Sequence, residues 1–431
     1  MLGAHILVKK SLEIHGSVEV AGAKNAVLVI ISSLILAKGR SVLDNVPNSS
    51  DVNHMIMLLQ DLGADVEFNV ENKRLTVDTS NLNQFEVKPE IMNKMRASIL
   101  VMGPLLARFG KAKVAFPGGC VLGARPIDYH LNGFKKMGIK IEEDGCYINA
   151  DKIDSKEHLN SRIIFEYPSV GATENLMMLA ALTEGQTTIV NAALEPEVLD
   201  LVDILNKMGA DIKCGHGAFL YINGVSELKP VHHAIIPDRL EAGTFLLTAA
   251  ITGGCVTVTN AIADHMDMFV EKMREMGHKV ETGVCADENN PTRGIRLTGT
   301  NLPQGIKIKT GPYPAFPTDL QAPTMAALCL ANGTSLVEET VFENRFMHVQ
   351  ELQKMGAQIS LAGNQAFIRG VENLYGNKLI ATDIRASCAL VLAGLAADGQ
   401  THVSGLHHWR RGYDQLEIKI RALGGQVEIN E

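Results

Sequence analysis

A chain of 431 residues, 46% hydrophobic and 20% charged, is too long for one ordinary core and too apolar to be disordered, so two domains are expected. A formal net charge of −8 with one Trp and seven Tyr argues against a nucleic-acid surface, which needs clustered cations and stacking aromatics. The cysteines (Cys120, Cys146, Cys214, Cys255, Cys285, Cys329 and Cys388) are odd in number and scattered, with no CxxC pair. That excludes a disulfide framework and a thiolate zinc site, and fits a reducing, cytoplasmic setting. The start "MLGAHILVKK" has no signal-peptide core, and "NAVLVIISSLILA" is too short to span a bilayer.

Along the chain one phrase returns six times: "LGADVEF", "MGIKIEE", "MGADIKC", "MGHKVET", "MGAQISL" and "LGGQVEI", with glycines at Gly63, Gly138, Gly209, Gly277, Gly356 and Gly424. Each is a Leu or Met, a Gly and an alternating run, the pattern of a helix ending at Gly and feeding a strand. A second phrase lies 23 to 28 residues upstream of each, with glycines at Gly39, Gly110, Gly185, Gly254, Gly333 and Gly399. Each unit therefore reads as apolar helix, Gly, strand, turn, second helix, Gly, strand. Six αβ units suit two bodies of three. The helix before each upstream glycine, as in "NLMMLAALTEG" and "SCALVLAGLAADG", is apolar all round and hence buried. Buried helices at the centre with sheet outside are the reverse of a TIM barrel.

The starts of these helices carry the charge: Lys24 and Asn25, Arg96, Ser169 and Glu174, Asp238 and Arg239, Asp319, and Asp383 with Arg385. Asp, Ser and Thr there are ordinary caps, the first reading for Asp238 and Thr173. Lys24, Arg96 and Arg385 oppose the helix dipole, so capping does not explain them; cations waiting for an anionic ligand do. "FPGGCVLGARP" adds Cys120 in a glycine-rich turn with Arg125 nearby, a setting for a reactive thiol. The other six cysteines read as buried and structural. "GKA" at 110 is no P-loop, and the pairs His232–His233 and His407–His408 have no metal-ligand spacing.

"GAKNAVL", "MRAS", "PGGC", "GARP", "SVGATEN", "EPE", "PAFPTDLQAP", "ETVFENRFMHV", "ATDIRAS" and "RGY" follow in that order almost end to end. On these motifs the chain resembles the UDP-N-acetylglucosamine enolpyruvyl transferases (1-carboxyvinyltransferases) of the enolpyruvyl transferase family. The resemblance implies an α/β fold of two inside-out α/β barrels built from six βαβαββ-type repeats, with threefold pseudosymmetry in each. It places one domain at 22–235 and the other at 1–21 plus 236–431, with the ligand cleft between them. The implied reaction adds the enolpyruvyl group of phosphoenolpyruvate to the 3′-hydroxyl of UDP-N-acetylglucosamine and releases phosphate, by addition and elimination. It is the first committed step of peptidoglycan synthesis, in the cytoplasm, and needs no metal or redox cofactor. The implied partners are the two substrates, with neither nucleic acid nor membrane; a monomer is the favoured state.

The same resemblance assigns the residues. Cys120 is the acid at C3 and can carry phosphoenolpyruvate covalently; fosfomycin alkylates that cysteine in relatives. Asp319 is the base for the sugar hydroxyl, with burial raising its pKa and nearby cations opposing the rise. Lys24, Arg125 and Arg411 hold the phosphate and charge of phosphoenolpyruvate, with Arg345 and Arg385 as further oxyanion contacts. Asp383 orients the cations. Asn25, Arg96, Arg125, Pro126, Ile127, Asp128, Ser169, Val170, Gly171 and Val341 are nucleotide-sugar contacts, Val341 having a core reading of equal weight. Departures from the family are Ser50 before "DV", Tyr167 before "PSVG" and Arg410 beside Arg411; His407, His408 and Trp409 read as surface or as packing near the cleft. The alternatives are enolpyruvyl transfer to another acceptor, such as shikimate 3-phosphate, and a nucleotide-sugar-binding paralogue with little catalysis.

Overall fold

The computed structural model describes residues 3–12, 14–92, 95–116, 127–153, 160–343 and 345–431. Its contacts divide the chain into two units, one of the described residues up to Ala21 together with Pro237–Glu431, the other of those between Gly22 and Ile236. Each unit has its own apolar core.

The described strands form six sheets of four, three in each unit, and all six share one order. A first strand pairs parallel with a second, and the second leads into an antiparallel hairpin. In one such sheet Asn160–Ile164 runs parallel to Gln186–Val190, which pairs antiparallel with Phe219–Asn223 and thence Asp211–Gly215. The parallel step requires a crossover, and an inner helix makes it: here Val170–Ala181, with residues 172–181 all buried. The strands bury every second residue, as in Gln365–Arg369, so each sheet lays one face on the inner helices and the other in solvent.

Two strands come from distant parts of the sequence and complete the threefold plan. His5–Lys9 takes the third place in the last sheet, with Ile6 opposite Val403 and Ile429. His232–Ala234 supplies the parallel first strand beside Arg40–Asp44. At the centre of one unit the helices Arg239–Thr252, Gln321–Leu328 and Ile384–Ala396 pack on one another. In the other, Met102–Phe109 packs on Val170–Ala181, and the turn after Lys24–Ser33 packs on Met102–Phe109. These are the inside-out barrels implied by the six units.

The six downstream glycines all adopt positive φ, from 79° at Gly138 to 108° at Gly209, the left-handed stop that frees the chain to enter a strand. The fourth upstream phrase differs from expectation: Gly253, at φ 72°, takes the left-handed conformation and not Gly254. Gly254 answers a different need, since a Cβ there would lie 2.0 Å from the Ile14 carbonyl oxygen. Of the cysteines expected in the core, Cys329 and Cys388 are buried, whereas Cys146 and Cys214 are exposed. Cys146 occupies the turn between strands Ile139–Asp144 and Tyr147–Lys152, and Cys214 lies on an edge strand. Trp409 is part of a core, 2% exposed, with its Nε1–H donating to Glu417 Oε2 at 2.8 Å.

Close approach of inner helices fixes Gly103. Its N–H donates to Asn175 Oδ1 at 2.7 Å, and an added Cβ would lie 2.2 Å from the Asn175 carbonyl oxygen. The partner is backbone and cannot swing away. Gly103→Ala is expected to lower the unfolding free energy by about 2 kcal/mol, read as a reduced urea midpoint; an unchanged midpoint would contradict this packing.

Candidate active site

In the unit that ends the chain, the starts of the inner helices meet. Asp319 lies in the 3-10 turn Thr318–Leu320 that leads into Gln321–Leu328. Arg385 is the second residue of Ile384–Ala396. Arg345 precedes the helix His348–Lys354. Arg345 Nη2 donates to Asp319 Oδ1 and Arg385 Nη2 to Asp319 Oδ2, both at 2.7 Å. The arginine side chains are only 5% and 7% exposed, that of Asp319 23%. These are charge-assisted bonds in a setting where solvent screens little. Burial pushes the Asp319 pKa up, but Arg385 and Arg345 outweigh it and hold the carboxyl well below the usual range. The expectation of cations opposing burial thus resolves in favour of the cations in this structure.

Arg385 is fixed further by its Nη1, which donates to Tyr413 Oη at 3.0 Å. Asp383 caps Ile384–Ala396, its Oδ1 accepting from the N–H groups of Arg385 and Ala386. Asp238 caps Arg239–Thr252 in the same way. Beside Arg345 lies His348, 2% exposed. Its burial, and to a lesser degree the Arg345 charge, lower its pKa to about 4 against the pull of Asp383. His348 is therefore neutral near pH 7 and adds no third cation.

In the other unit, Lys24 opens the helix Lys24–Ser33, and its Nζ lies 3.1 Å from Oδ2 of the buried Asp51. Ser50 starts the helix that carries Asp51, and Ser49 caps it. Asn25 is exposed. Ile127 stands at the N-cap of Asp128–Lys136, with Asp128 in its first turn. Ser169 caps Val170–Ala181 by accepting from the Ala172 N–H. Thr173 is not the cap: its buried hydroxyl accepts from the Ala193 N–H at 3.0 Å. Val170 is 36% exposed, as is Tyr167. A Cβ at Gly171 would lie 3.3 Å from the His130 ring, so only glycine fits without displacing it. Val341 and Arg411 are half-buried, the latter on Leu406–Gly412. Arg410 pairs with Glu431 on the surface. Cys120, Arg125, Pro126 and the Arg96 side chain lie outside the described residues.

Sequence reasoning read Thr318 only as a helix cap, whereas Pro317 takes that place, and it assigned no role to Glu339, His348 or Tyr413, although the quoted motifs contain all three. It also left "EPE" without one: Glu174 is buried, and burial together with the charges of Glu195 and Glu197 pushes its pKa well above the ordinary value. Among the described residues one grouping has metal-like spacing, Asp200, Asp203 and His233. Lys207 Nζ already occupies it, 2.6 Å from Asp203 Oδ2 and 3.3 Å from His233 Nδ1.

The fold and the buried carboxylate–guanidinium cluster point to one class. The family profile described as EPSP synthase (3-phosphoshikimate 1-carboxyvinyltransferase) matches residues 8–420, and the chain belongs to this enolpyruvyl transferase family. Within it, the chain is 47% identical over 423 residues to the UDP-N-acetylglucosamine 1-carboxyvinyltransferase of Finegoldia magna, covering 98% of each chain. It is 46% identical to UDP-N-acetylglucosamine 1-carboxyvinyltransferase 1 of Caldanaerobacter subterraneus subsp. tengcongensis, and 45% to the enzyme of that name from Geobacter metallireducens, with 98% coverage both ways. Among solved structures it is similar to the enolpyruvyl transferase NikO of Streptomyces tendae (TM-score 0.89, 20% identity, 99% of each chain). EPSP synthase of Acinetobacter baumannii gives TM-score 0.78 at 17% identity, covering 99% of this chain and 100% of that one. These two likenesses speak for the fold.

Asp319→Asn leaves two buried guanidiniums facing a neutral amide, and is expected to cost about 3 kcal/mol of stability at pH 7. The folded carboxyl titrates below its unfolded value of about 3.9, so its contribution is complete above that pH and fades only as acid approaches the folded pKa. Urea unfolding of both proteins from pH 7 down to pH 3 measures the gap; a gap that widens on acidification would contradict the ion triad.

Proposed function

We infer that the chain transfers the enolpyruvyl group of phosphoenolpyruvate to the 3′-hydroxyl of UDP-N-acetylglucosamine, releasing phosphate, in peptidoglycan synthesis. The observation that carries the choice of acceptor is the 45–47% identity, over 98% of the chain, to enzymes of that name. The geometry supports it with a carboxylate and two guanidiniums preorganised at converging helix starts, a setting for proton transfer beside an oxyanion. We assign the reaction to the cytoplasm and to a monomer. No helix among the described residues is long and apolar enough to cross a membrane.

In the addition step the sugar oxygen bonds to C2 of phosphoenolpyruvate, its proton passes to Asp319, and the Cys120 thiol delivers a proton to C3. In the elimination step C3 returns a proton to the Cys120 thiolate, the C2–O bond to phosphate breaks to restore the double bond, and the departing phosphate takes up the proton held by Asp319. Lys24, Arg125 and Arg411 hold the phosphate, while Arg345 and Arg385 take further oxyanion contacts. Asn25, Arg96, Arg125, Pro126, Ile127, Asp128, Ser169, Val170, Gly171 and Val341 contact the nucleotide sugar, with Asp383 acting through the helix that it caps. As the structure stands, Asp319 is a poor base, since both its oxygens accept from guanidiniums. When a substrate anion draws one guanidinium away, the carboxyl pKa rises and the base becomes competent. Substrate binding thereby switches on the group that the reaction needs.

Phosphate release from phosphoenolpyruvate is expected with UDP-N-acetylglucosamine and not with shikimate 3-phosphate, and is expected to fall by at least about a hundredfold in Cys120→Ala. Release with shikimate 3-phosphate alone would reassign the acceptor. Folded protein that binds the nucleotide sugar but releases nothing would make it a binding paralogue. Fosfomycin is expected to add its mass covalently to the wild-type chain and not to Cys120→Ala, as intact-mass measurement would show.

A further inference from the structure

Arg345 is a long side chain asked to hold one carboxylate oxygen, and its own anchorage is sparse. Its Nε is buried without a hydrogen-bond partner. Besides the bond to Asp319, its guanidinium donates through Nη1 to Thr318 Oγ1 at 2.9 Å. A guanidinium is a rigid plane, so fixing Nη1 aims Nη2. Thr318 in turn donates its hydroxyl proton to Glu339 Oε2 at 2.8 Å. An ionised carboxylate can only accept, which commits the threonine proton to Glu339 and turns an oxygen lone pair toward Arg345.

Glu339 is itself bolted in place. It is 2% exposed, and its Oε1 accepts from Thr310 Oγ1 at 2.9 Å and from the N–H groups of Val341 and Phe342 at 2.8 and 3.1 Å. Its backbone N–H donates to the Asn364 carbonyl at 2.9 Å. One carboxylate therefore organises two things together: the 339–342 turn that carries Val341, and the hydroxyl that aims Arg345.

We propose that Glu339 is a positioning residue, acting through Thr318 to orient Arg345 against Asp319 while holding the turn of Val341; this rests on the reading of Asp319 as the base. Glu339 touches no reacting atom. Its effect is on how firmly Arg345 stays on the carboxylate, and hence on the pH at which Asp319 takes up a proton. Without the Thr318 hydroxyl the guanidinium can turn, Asp319 loses part of its cationic partnership, and its pKa rises.

The test compares Thr318→Val, Thr318→Ser and Glu339→Gln with the wild type, following kcat and KM for UDP-N-acetylglucosamine from pH 5 to pH 9. For Thr318→Val the acidic limb of kcat is expected to move up by about one pH unit, while KM stays within about twofold. Thr318→Ser, which keeps the hydroxyl, is expected to restore the wild-type limb. Glu339→Gln is expected to move the limb in the same direction and also to raise KM, because its amide cannot accept from Thr318 and from the Val341 and Phe342 N–H groups as the carboxylate does. An unshifted limb in Thr318→Val, or equal defects in the Val and Ser variants, would overturn the proposal while leaving the reaction intact. A wild-type chain with no transfer activity would overturn the reading of Asp319 and this inference with it. If Glu339→Gln fails to fold, the two Thr318 variants decide alone.

Discussion

A helix that is apolar on every side can be stable in water only if something covers every side. Ile384–Ala396, with residues 385–395 all buried, and Arg239–Thr252, with residues 240–251 all buried, impose that constraint here. One sheet covers one flank. Three sheets around three packed helices cover all of them, and this is what each unit builds. The repeat follows: every inner helix needs a parallel crossover to place it under a sheet and a hairpin to widen that sheet. The strands His5–Lys9 and His232–Ala234 are where the demand for closure overrides sequence order.

The same constraint locates the chemistry. An inner helix has no solvent-facing side, so its ends are where charged groups can meet solvent or a ligand. At the start of a helix the free N–H groups favour anions, and Asp383 and Asp238 satisfy them as caps. Arg385 then stands two residues into its helix against the dipole. It is tolerable there because Asp319, from the start of another inner helix, meets it at 2.7 Å. Packing the helices side by side thus brings a carboxylate and two guanidiniums together in one unit.

Much of this was legible in the sequence, because the informative features are local and repeated. The six glycine phrases mark helix ends, and positive φ at Gly63, Gly138, Gly209, Gly277, Gly356 and Gly424 is the conformation that such a stop requires. The cations at helix starts were visible as exceptions to dipole rules. What sequence could not show was the pairing of side chains from different repeats. Asp383 was expected to orient cations, and the structure shows its carboxylate capping a helix, a role that sequence alone does not separate from an ion pair. Thr173 and Ser169 both have hydroxyls suited to a cap, and the register of one helical turn decides between them. Trp409 sits in a polar run, "HHWRRGY", whose composition suggests surface; the indole fills a core while its N–H still finds Glu417.

On the proposed reading of Asp319 as the base, its depressed pKa is reconciled with that role by what holds it down. Burial alone would favour the neutral acid. Two guanidiniums reverse that, and each is a group suited to a phosphate or carboxylate oxyanion. The cations that suppress the base are therefore of the kind that an anionic substrate recruits. A carboxyl kept ionised by removable partners is ready to accept a proton once a partner leaves, with no prior deprotonation. For that release to be selective, one arginine must be held more firmly than the other. Arg385 is tied to Tyr413, and Arg345 through Thr318 to the fourfold-bonded Glu339. Each guanidinium thus has one further tether, to a different element of the unit, and that tether sets how readily it leaves the carboxylate.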